Sequence, residues 1–354
     1  MQIHQILPTL SHGDAIGNEA RLMQSLFRKW GYISHIFAEN IHPKITAFYV
    51  NRYKEYSHKD NILIYHYSIG SDITEFFKTL PDKKILIYHN ITPPEYFIGI
   101  NEVLYKLLKE GRDSLPSLIP YVKLAIGVSE YNRQELENMG FSRTTVLPIL
   151  IDFGSYHRFN TSLVQKYTDN HVNLLFVGRI SPNKKQEDIL KIFYYYKSIN
   201  PKSRLFLVGG FNGCERYIDQ LRDIVKKLQL SDVVFTGSVP FEDLISYYKI
   251  ANVFLCMSEH EGFCVPLIES MFFNIPIIAY NSTAVPHTLE NSGVLINKKD
   301  YCEIAELSDI IIHEVNLKKK IIETQRIRLK EFEFGKTKEK LKRIIVSLLK
   351  EEVY

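Results

Sequence analysis

The sequence has no long hydrophobic run and very little cysteine. None of its apolar stretches approaches the roughly 18 residues of a membrane-spanning helix. The 4 cysteines form no C-x-x-C pair and no regular framework, which argues against a disulfide-stapled secreted protein and against a zinc module. The first residues, Met1–His4, show neither the basic nor the apolar part of a signal peptide. We therefore expect a cytoplasmic protein and leave open contact with the inner face of a membrane.

The charge balance is nearly even and excludes a dedicated nucleic-acid-binding protein. The chain has 44 basic and 40 acidic side chains, for a formal charge of +4. Binding to nucleic acid needs clustered basic residues, and the one dense basic stretch is near the C-terminus, where a solvated helix face explains it. With 354 residues and 45% hydrophobic composition, the chain is expected to fold into two domains.

Short apolar runs alternate with longer helical patterns along the chain, and the arrangement occurs twice. Such alternation indicates parallel sheets covered by helices, so the predicted fold class is α/β with two Rossmann-like, doubly wound domains. The predicted strands of the first half are 2–7, 33–37, 62–65, 84–88, 123–128 and 144–147, and those of the second half are 172–177, 204–208, 233–235, 253–256 and 275–279. Helical patterns include 15–29 and 131–138.

The domain boundary is expected within Pro148–Asn170, a stretch with no clear periodicity. We predict an N-terminal domain over 1–158 on the acceptor side, a C-terminal domain over 159–334 on the donor side, and a C-terminal helix over 335–354. This last segment has an apolar face suited to packing back on the first domain, formed by Leu341, Ile344, Ile345, Leu348 and Leu349.

Two glutamates flank a predicted helix start after the strand 253–256. Glu261 stands just before the helix and Glu269 about one turn inside it. A carboxylate suits a pair of vicinal hydroxyls, and backbone N–H groups at a helix N-terminus suit a phosphate. The layout therefore fits a sugar nucleotide, with an N-capping acid and a solvent-facing glutamate as the alternative. The backbone groups concerned belong to Gly262, Phe263, Cys264 and Val265.

A basic turn follows the first strand of the second half. Gly178 and Arg179 are followed five residues later by Lys184. Departure of a nucleoside diphosphate builds negative charge on its terminal phosphate, which fixed cations stabilise. A basic surface loop with no catalytic role is the alternative.

Together these two segments resemble glycosyltransferase family 4, whose members are retaining enzymes of the GT-B fold with two Rossmann-like domains facing across a cleft. Glu261 and Glu269 meet the family's E-x7-E element, and Gly178, Arg179 and Lys184 meet its Gly-Arg-Lys element. The resemblance is strong over about 172–295 and weaker before it.

The resemblance implies a role for each matching residue. Arg179 and Lys184 would bind the donor diphosphate, with Lys185 the less favoured lysine; Glu261 would contact the transferred sugar and Glu269 the ribose. The backbone of 262–265 would approach the phosphate or sugar, and that near Val239 the base. Cys264 stands where the family commonly has glycine, which puts the backbone approach there in doubt.

The first half carries weaker marks of the same resemblance. In the segment from His12 to Glu19, Gly17 is similar to a glycine of the family's first loop, and it serves either the diphosphate or only the turn. His89, which follows a predicted strand, is similar to the family's cleft histidine near the transferred sugar. A purely structural histidine is the alternative.

The resemblance also implies that no protein nucleophile is established and that the co-substrate is a nucleotide-diphosphate sugar, with no other cofactor. No D-x-D motif lies between the halves, so we expect no catalytic metal. GDP-mannose is the first expectation for the donor and a UDP-hexose the next. The expected acceptor is a glycan or lipid-linked saccharide of surface polysaccharide synthesis.

Several other functions are weighed against this one. The run after the strand 204–208 fails the dinucleotide fingerprint G-x-G-x-x-G because Val208 occupies its first glycine position, and no Walker A or H-E-x-x-H motif occurs. A sugar-nucleotide epimerase of the same fold and a non-catalytic glycan-binding module stay open. For the acceptor side, the stretch 101–123 mixes leucines with basic residues and fits either a membrane surface or helices covering the first sheet.

Overall fold

The computed structural model divides into two compact units and describes residues 1–11 and 13–350. Unit 1 contains 1–94, 105–152 and the C-terminal segment from Phe332, and unit 2 contains 95–104 and 153–331. His12 of the predicted first loop and residues 351–354 of the predicted C-terminal helix lie outside the described residues. The predicted domains 1–158 and 159–334 and the predicted C-terminal helix 335–354 stay predictions.

Unit 1 is built on a parallel sheet of seven strands. Its order is β3-β2-β1-β4-β5-β6-β7, and the strands are β1 (Ile3–Leu10), β2 (Ile36–Ile41), β3 (Phe48–Tyr49), β4 (Ile62–Tyr67), β5 (Lys83–Tyr88), β6 (Leu124–Gly127) and β7 (Thr144–Val146). Every residue of β4 is buried, as expected for a central strand with helices on both faces of its sheet.

Unit 2 repeats the design with six parallel strands. Its order is β10-β9-β8-β11-β12-β13, and the strands are β8 (Val172–Val177), β9 (Ser203–Val208), β10 (Val233–Gly237), β11 (Val253–Cys256), β12 (Ile277–Tyr280) and β13 (Val294–Ile296). The prediction of two Rossmann-like α/β units is thereby confirmed.

Thirteen α-helices cover the sheets within the described residues. They are α1 (Ala15–Lys29), α2 (Ile73–Thr79), α3 (Glu102–Ser114), α4 (Glu130–Asn138), α5 (Thr161–Tyr167), α6 (Gln186–Ile199), α7 (Glu215–Lys227), α8 (Phe241–Ile250), α9 (Val265–Phe272), α10 (Val285–Leu289), α11 (Tyr301–His313), α12 (Val315–Leu329) and α13 (Phe334–Lys350). None of the helices in the described part of the chain is long and apolar enough to cross a bilayer.

The strand prediction found all but two of the strands in the described residues. Strands β8 and β11 have the predicted bounds, whereas the two-residue β3 and the three-residue β13 were not predicted. The segment 95–104 was also unexpected in unit 2, where the Asn101 side chain donates to the carbonyl of Gly213 (2.9 Å) and Arg216 to that of Gly99 (3.0 Å).

The sheet order of unit 2 identifies where a ligand would bind. Successive strands run outward from β8 through β9 to β10, and the chain then returns to place β11 on the other side of β8. Ligands of open α/β sheets bind beyond the carboxyl ends of the strands at such a reversal. The loops that follow β8 and β11 are therefore the first place to look for a site.

Candidate functional site

The two loops at this reversal are held together by Asn183. Its side chain donates to the carbonyl of His260 (3.1 Å) and its own carbonyl accepts from the amide of Glu259 (2.8 Å). The hydroxyl of Ser181 lies 2.8 Å from Oδ1 of Asn183 and fixes its orientation. Because Asn183 is buried, these bonds give the loops 178–185 and 257–264 a fixed relative position. The sequence offered no signal for this role.

Lys184 and Glu261 form an ion pair across the two loops. Nζ of Lys184 lies 2.5 Å from Oε2 of Glu261, and the side chains are 21% and 7% exposed. Burial by itself lowers the pKa of Lys184, but the Glu261 carboxylate, together with Cys264 and Cys256, outweighs burial and the pKa is raised. A charged ammonium is thus held beside a carboxylate at the sheet edge. This contact brings two of the predicted site residues together, and their roles stay predictions.

Lys185 is directed to other partners. Its ammonium lies 3.3 Å from Glu259 and 3.5 Å from Glu187. Glu259 also pairs with Lys299 at 3.0 Å. Lys185 has φ of 53°, in the left-handed region. The backbone therefore turns at this position, and the side chains of Lys184 and Lys185 contact different carboxylates.

Arg179 lies on the same loop but contacts the neighbouring one. Its guanidinium donates to the carbonyl of Asn212 at 2.7 Å, and the residue is exposed. Its backbone carbonyl accepts from the side chain of Gln186 (3.0 Å). The structure therefore fixes the backbone of Arg179 at the sheet edge, with the guanidinium turned toward the loop that follows β9.

Glu269 is buried in α9 between two tyrosines. The hydroxyl of Tyr156 donates to its Oε1 (2.7 Å) and that of Tyr248 to its Oε2 (2.5 Å). Burial raises the pKa of Glu269, and the two hydroxyl donors oppose that rise. The sequence could not reveal these partners, because one lies 113 residues away. Each carboxylate oxygen has a second lone-pair direction that a ligand hydroxyl can use.

The loop before α9 takes the backbone shape that glycine favours, although cysteine occupies the position. Cys264 has φ of 71°, a conformation that L-residues other than Asn and Asp seldom adopt. Thr288 donates to the carbonyl of Phe263 (2.6 Å), and the Glu261 amide donates to Thr283 (2.8 Å). The loop of 261–265 is thus anchored to the segment around α10, with Gly262 half-buried and Val265 as the first residue of α9.

Gly17 and Val239 lie on separate elements. The Gly17 amide donates to Asp14, the N-cap of α1 (2.9 Å), and a Cβ built on Gly17 would lie 2.9 Å from the Ser11 carbonyl oxygen. The absence of a side chain is therefore needed for packing at this turn. Val239 follows β10, at the edge of the second sheet, and is half-buried.

His89 of unit 1 ends a buried hydrogen-bond chain whose proton positions can be derived. Nε2 of Gln5 donates to a backbone carbonyl, so its Oε1 accepts from Nε2 of His66 (2.9 Å). Burial lowers the pKa of His66 to about 3, so this ring is neutral and its Nδ1 accepts from Nε2 of His89 (3.0 Å). Burial also holds the pKa of His89 well below its usual value. Nδ1 of His89 is then an acceptor.

Glu19 lies beside this chain and keeps its proton. Its Oε1 accepts from the Leu150 amide (3.0 Å), its Oε2 lies 3.8 Å from Nε2 of His89, and burial raises its pKa to about 8. Among the described residues, neither Oε2 of Glu19 nor Nδ1 of His89 has a hydrogen-bond partner. A buried donor and a buried acceptor thus stand at the carboxyl edge of the first sheet.

Comparison with known proteins consistently finds similarity to glycosyltransferases. Residues 164–328 match the family described as "Glycosyl transferases group 1". The chain is 25% identical over 273 residues to the O-antigen chain mannosyltransferase B of Escherichia coli, covering 73% of this chain and 66% of that protein. It is 27% identical over 217 residues to the capsular polysaccharide biosynthesis glycosyltransferase CapM of Staphylococcus aureus, covering 58% and 56%. The aligned part is less than two thirds of either relative.

The fold is shared with a solved enzyme structure over nearly the whole chain. Superposition on sucrose-phosphate synthase from Thermosynechococcus elongatus gives a TM-score of 0.78 at 15% identity and covers 99% of this chain and 100% of that one. This likeness shows the GT-B fold, as predicted. The family match over residues 164–328 and the curated relatives together support a transferase enzyme.

Proposed function

We propose that this protein is a retaining hexosyltransferase of family 4 that takes its sugar from a nucleotide-diphosphate donor. The observation that carries the proposal is the Lys184–Glu261 pair, 2.5 Å apart at the reversal point of the second sheet. A nearly buried ammonium beside a carboxylate offers one group for a phosphate and one for sugar hydroxyls. The family match over 164–328 covers this pair.

Lys184 and Arg179 stabilise the negative charge that develops on the leaving diphosphate. That charge is greater in the transition state than in the bound donor, so the two cations lower the barrier rather than only tightening binding. Because two cationic side chains supply this stabilisation, we propose catalysis without a metal ion.

The remaining unit 2 residues hold the donor. Glu261 accepts from hydroxyls of the transferred sugar, and Glu269 accepts from the ribose hydroxyls while Tyr156 and Tyr248 orient it. The backbone of 262–265 approaches the phosphate or the sugar, and the backbone at Val239 approaches the base. Cys264 keeps the left-handed backbone of this loop, which supports the approach despite the missing glycine.

Two residues of unit 1 complete the proposed set of substrate contacts. His89 offers the lone pair of Nδ1 to a substrate hydroxyl, as its derived proton position allows. Gly17, in the first turn of α1, lets the backbone there meet the diphosphate or the acceptor.

We propose GDP-mannose as the donor, with a UDP-hexose next, and a glycan or lipid-linked saccharide of surface polysaccharide synthesis as the acceptor. The mannosyltransferase and capsule relatives support these choices. An epimerase or a non-catalytic glycan-binding module would share the fold without transferring sugar.

A donor screen tests this proposal. The protein is incubated with GDP-mannose, UDP-glucose and UDP-galactose without acceptor, in the presence of EDTA, and release of nucleoside diphosphate is followed. Slow release from one donor, and a raised melting temperature with the same donor, are expected. Release of an epimerised nucleotide sugar would favour the epimerase, and binding without any release would favour the binding module. The anomeric configuration of the product, read by NMR once an acceptor is known, tests retention.

We propose a cytoplasmic location with peripheral contact at the inner face of the membrane, through the stretch 101–123. Several of its apolar residues are buried in the protein, among them Leu108, Leu115 and Leu118, so contact relies on exposed lysines such as Lys106 and Lys123. Anionic liposomes should retain the protein at low salt and release it at high salt, and neutral liposomes should not retain it.

A further inference from the structure

Two cysteines and a glutamate meet at the loop before α9. Cys256 ends β11, Cys264 immediately precedes α9, and Glu261 lies between them in the loop. The two sulfur atoms are 4.0 Å apart, and one ligand atom from each of the three residues lies within 4.8 Å of the others. All three residues are buried. Neither the fold nor the proposed transfer reaction requires two thiols at this place.

The spacing of the sulfur atoms fits a shared metal ion. Zinc binds thiolate sulfur at about 2.3 Å in a tetrahedral arrangement, which places two sulfur ligands about 3.8 Å apart. The observed 4.0 Å is close to that value, and it is nearly twice the length of about 2.05 Å of a disulfide. A carboxylate oxygen is a regular third ligand of zinc.

The charges around the cluster also balance. Two thiolates and the Glu261 carboxylate carry three negative charges when a metal is bound. A divalent cation and the ammonium of Lys184, which lies 2.5 Å from Glu261, carry three positive charges. Neutrality matters because an unbalanced charge is costly to bury. The two protons displaced from the thiols pass to solvent.

We propose that Cys256, Cys264 and Glu261 bind a soft divalent cation of the zinc class, and that this cation competes with the sugar nucleotide. Binding of the cation stands on the geometry of the two thiols and the carboxylate, whereas competition rests on the proposed function, in which Glu261 contacts the transferred sugar. The cation takes the carboxylate that the donor needs. The site is thus inhibitory, and it is compatible with transfer that needs no metal.

The first experiment measures cation binding without any reference to activity. Reduced protein with the exposed Cys302 replaced (Cys302→Ser) is titrated with Co²⁺, whose thiolate complexes absorb in the near ultraviolet, and the Co²⁺ is then displaced with Zn²⁺. A thiolate band that Zn²⁺ abolishes is expected. Cys256→Ala and Cys264→Gly should each weaken binding by at least about a hundredfold, at or beyond the upper range for loss of a supporting group.

The variants are chosen so that misfolding cannot imitate the result. Glycine suits the left-handed backbone at position 264, so Cys264→Gly should keep its melting temperature. Cys214→Ser, at the other buried thiol of unit 2, is the matched control and should bind Co²⁺ as the parent does. An absent thiolate band, or a band that survives in Cys264→Gly, overturns the proposed site.

The second experiment tests competition. With the donor that the screen identifies, Zn²⁺ should raise the apparent KM at least about tenfold while leaving kcat at saturating donor unchanged, and Cys256→Ala should abolish this effect. Cation binding without any change in KM would retain the metal site and overturn the competition. If no donor is turned over at all, the thiolate band still decides the metal site, so failure of the proposed function and failure of the site are distinguishable.

Discussion

The carboxyl edges of the two sheets are built alike but hold different charges. In unit 1, Glu19 keeps its proton, since burial raises its pKa to about 8, and burial keeps His66 and His89 neutral. In unit 2, Lys184 and Glu261 are paired at 2.5 Å. Both edges contain a carboxylate and basic side chains, but these groups are neutral in unit 1 and charged in unit 2.

The difference follows from what faces each carboxylate. Among the described residues, the imidazole of His89 and the backbone amide of Leu150 lie beside Glu19, and neither carries a full positive charge. Burial therefore favours the protonated, neutral carboxyl group. Glu261 faces an ammonium, which stays charged even when partly buried. A neutral edge is suited to hydroxyl groups, and a charged edge is suited to a diphosphate.

The largest expected effect is on the stability of the folded chain when the protonated Glu19 is replaced by a neutral side chain. Between pH 4.5 and about 8 the folded chain retains a proton on Glu19 that the unfolded chain has released, so the contribution of Glu19 to the free energy of unfolding falls as pH rises. Glu19→Gln removes this loss while keeping an oxygen for the Leu150 amide. The variant should gain up to about 1.4 kcal/mol per pH unit relative to wild type across that interval.

Urea unfolding of both proteins at a series of pH values measures this difference. The contribution of His66 has the opposite sign but is common to both proteins and cancels. Glu55→Gln, at a side chain that is 63% exposed, is the matched control and should show no such trend. A constant difference between Glu19→Gln and wild type would mean that Glu19 is ionised.

The next effect concerns the charged edge. Lys184→Ala should lower kcat at least about a hundredfold, the scale of losing one transition-state donor. Lys185→Ala, at the adjacent lysine that pairs with Glu187 and Glu259, should lower kcat less than about fivefold, since such partly exposed pairs contribute little. Steady-state kinetics with the identified donor makes the measurement. Equal losses in the two variants would contradict the proposed division of roles.

A smaller effect is expected at Glu269. Glu269→Ala should raise the donor KM about tenfold, the scale of losing a charged hydrogen bond, and should change kcat less. Glu323→Ala, at an exposed residue of α12, is the control for loss of a negative charge. A large fall in kcat with an unchanged KM would show that Glu269 acts on the transition state instead.

The smallest effect tests the tyrosines around Glu269. Tyr156→Phe removes the hydroxyl that donates to Oε1 (2.7 Å), and it should weaken donor binding about threefold because the carboxylate is less well oriented. Tyr194→Phe, on an exposed ring, should have no effect. Tighter binding in Tyr156→Phe would show that the tyrosine competes with the ribose.

The charged edge was largely predictable from the sequence and the neutral edge was not. Lys184 and Glu261 each follow an apolar strand, and parallel strands deliver their following loops to one edge, so the contact could be expected. Glu19 keeps its proton because it is fully buried beside His66 and His89, and no local sequence pattern predicts this burial. Fold class was predictable for the same reason as the charged edge, since it rests on alternating periodicities.

Supporting residues escaped prediction because their partners are remote in sequence. Asn183 acts through His260, and Tyr156 acts through Glu269, 113 residues later. The left-handed backbone at Cys264 was not predicted, since cysteine in place of the family's glycine only put the backbone approach there in doubt. Tertiary packing, which decides these contacts, leaves no periodic trace in the chain.

Calorimetric titration of GDP and UDP into wild type, Lys184→Ala and Lys185→Ala tests most directly whether the reversal point of the second sheet binds a diphosphate. The account predicts that one nucleotide binds wild type and Lys185→Ala with similar affinity and binds Lys184→Ala at least about tenfold more weakly. Unchanged affinity in Lys184→Ala, or no binding of either nucleotide to wild type, would contradict it.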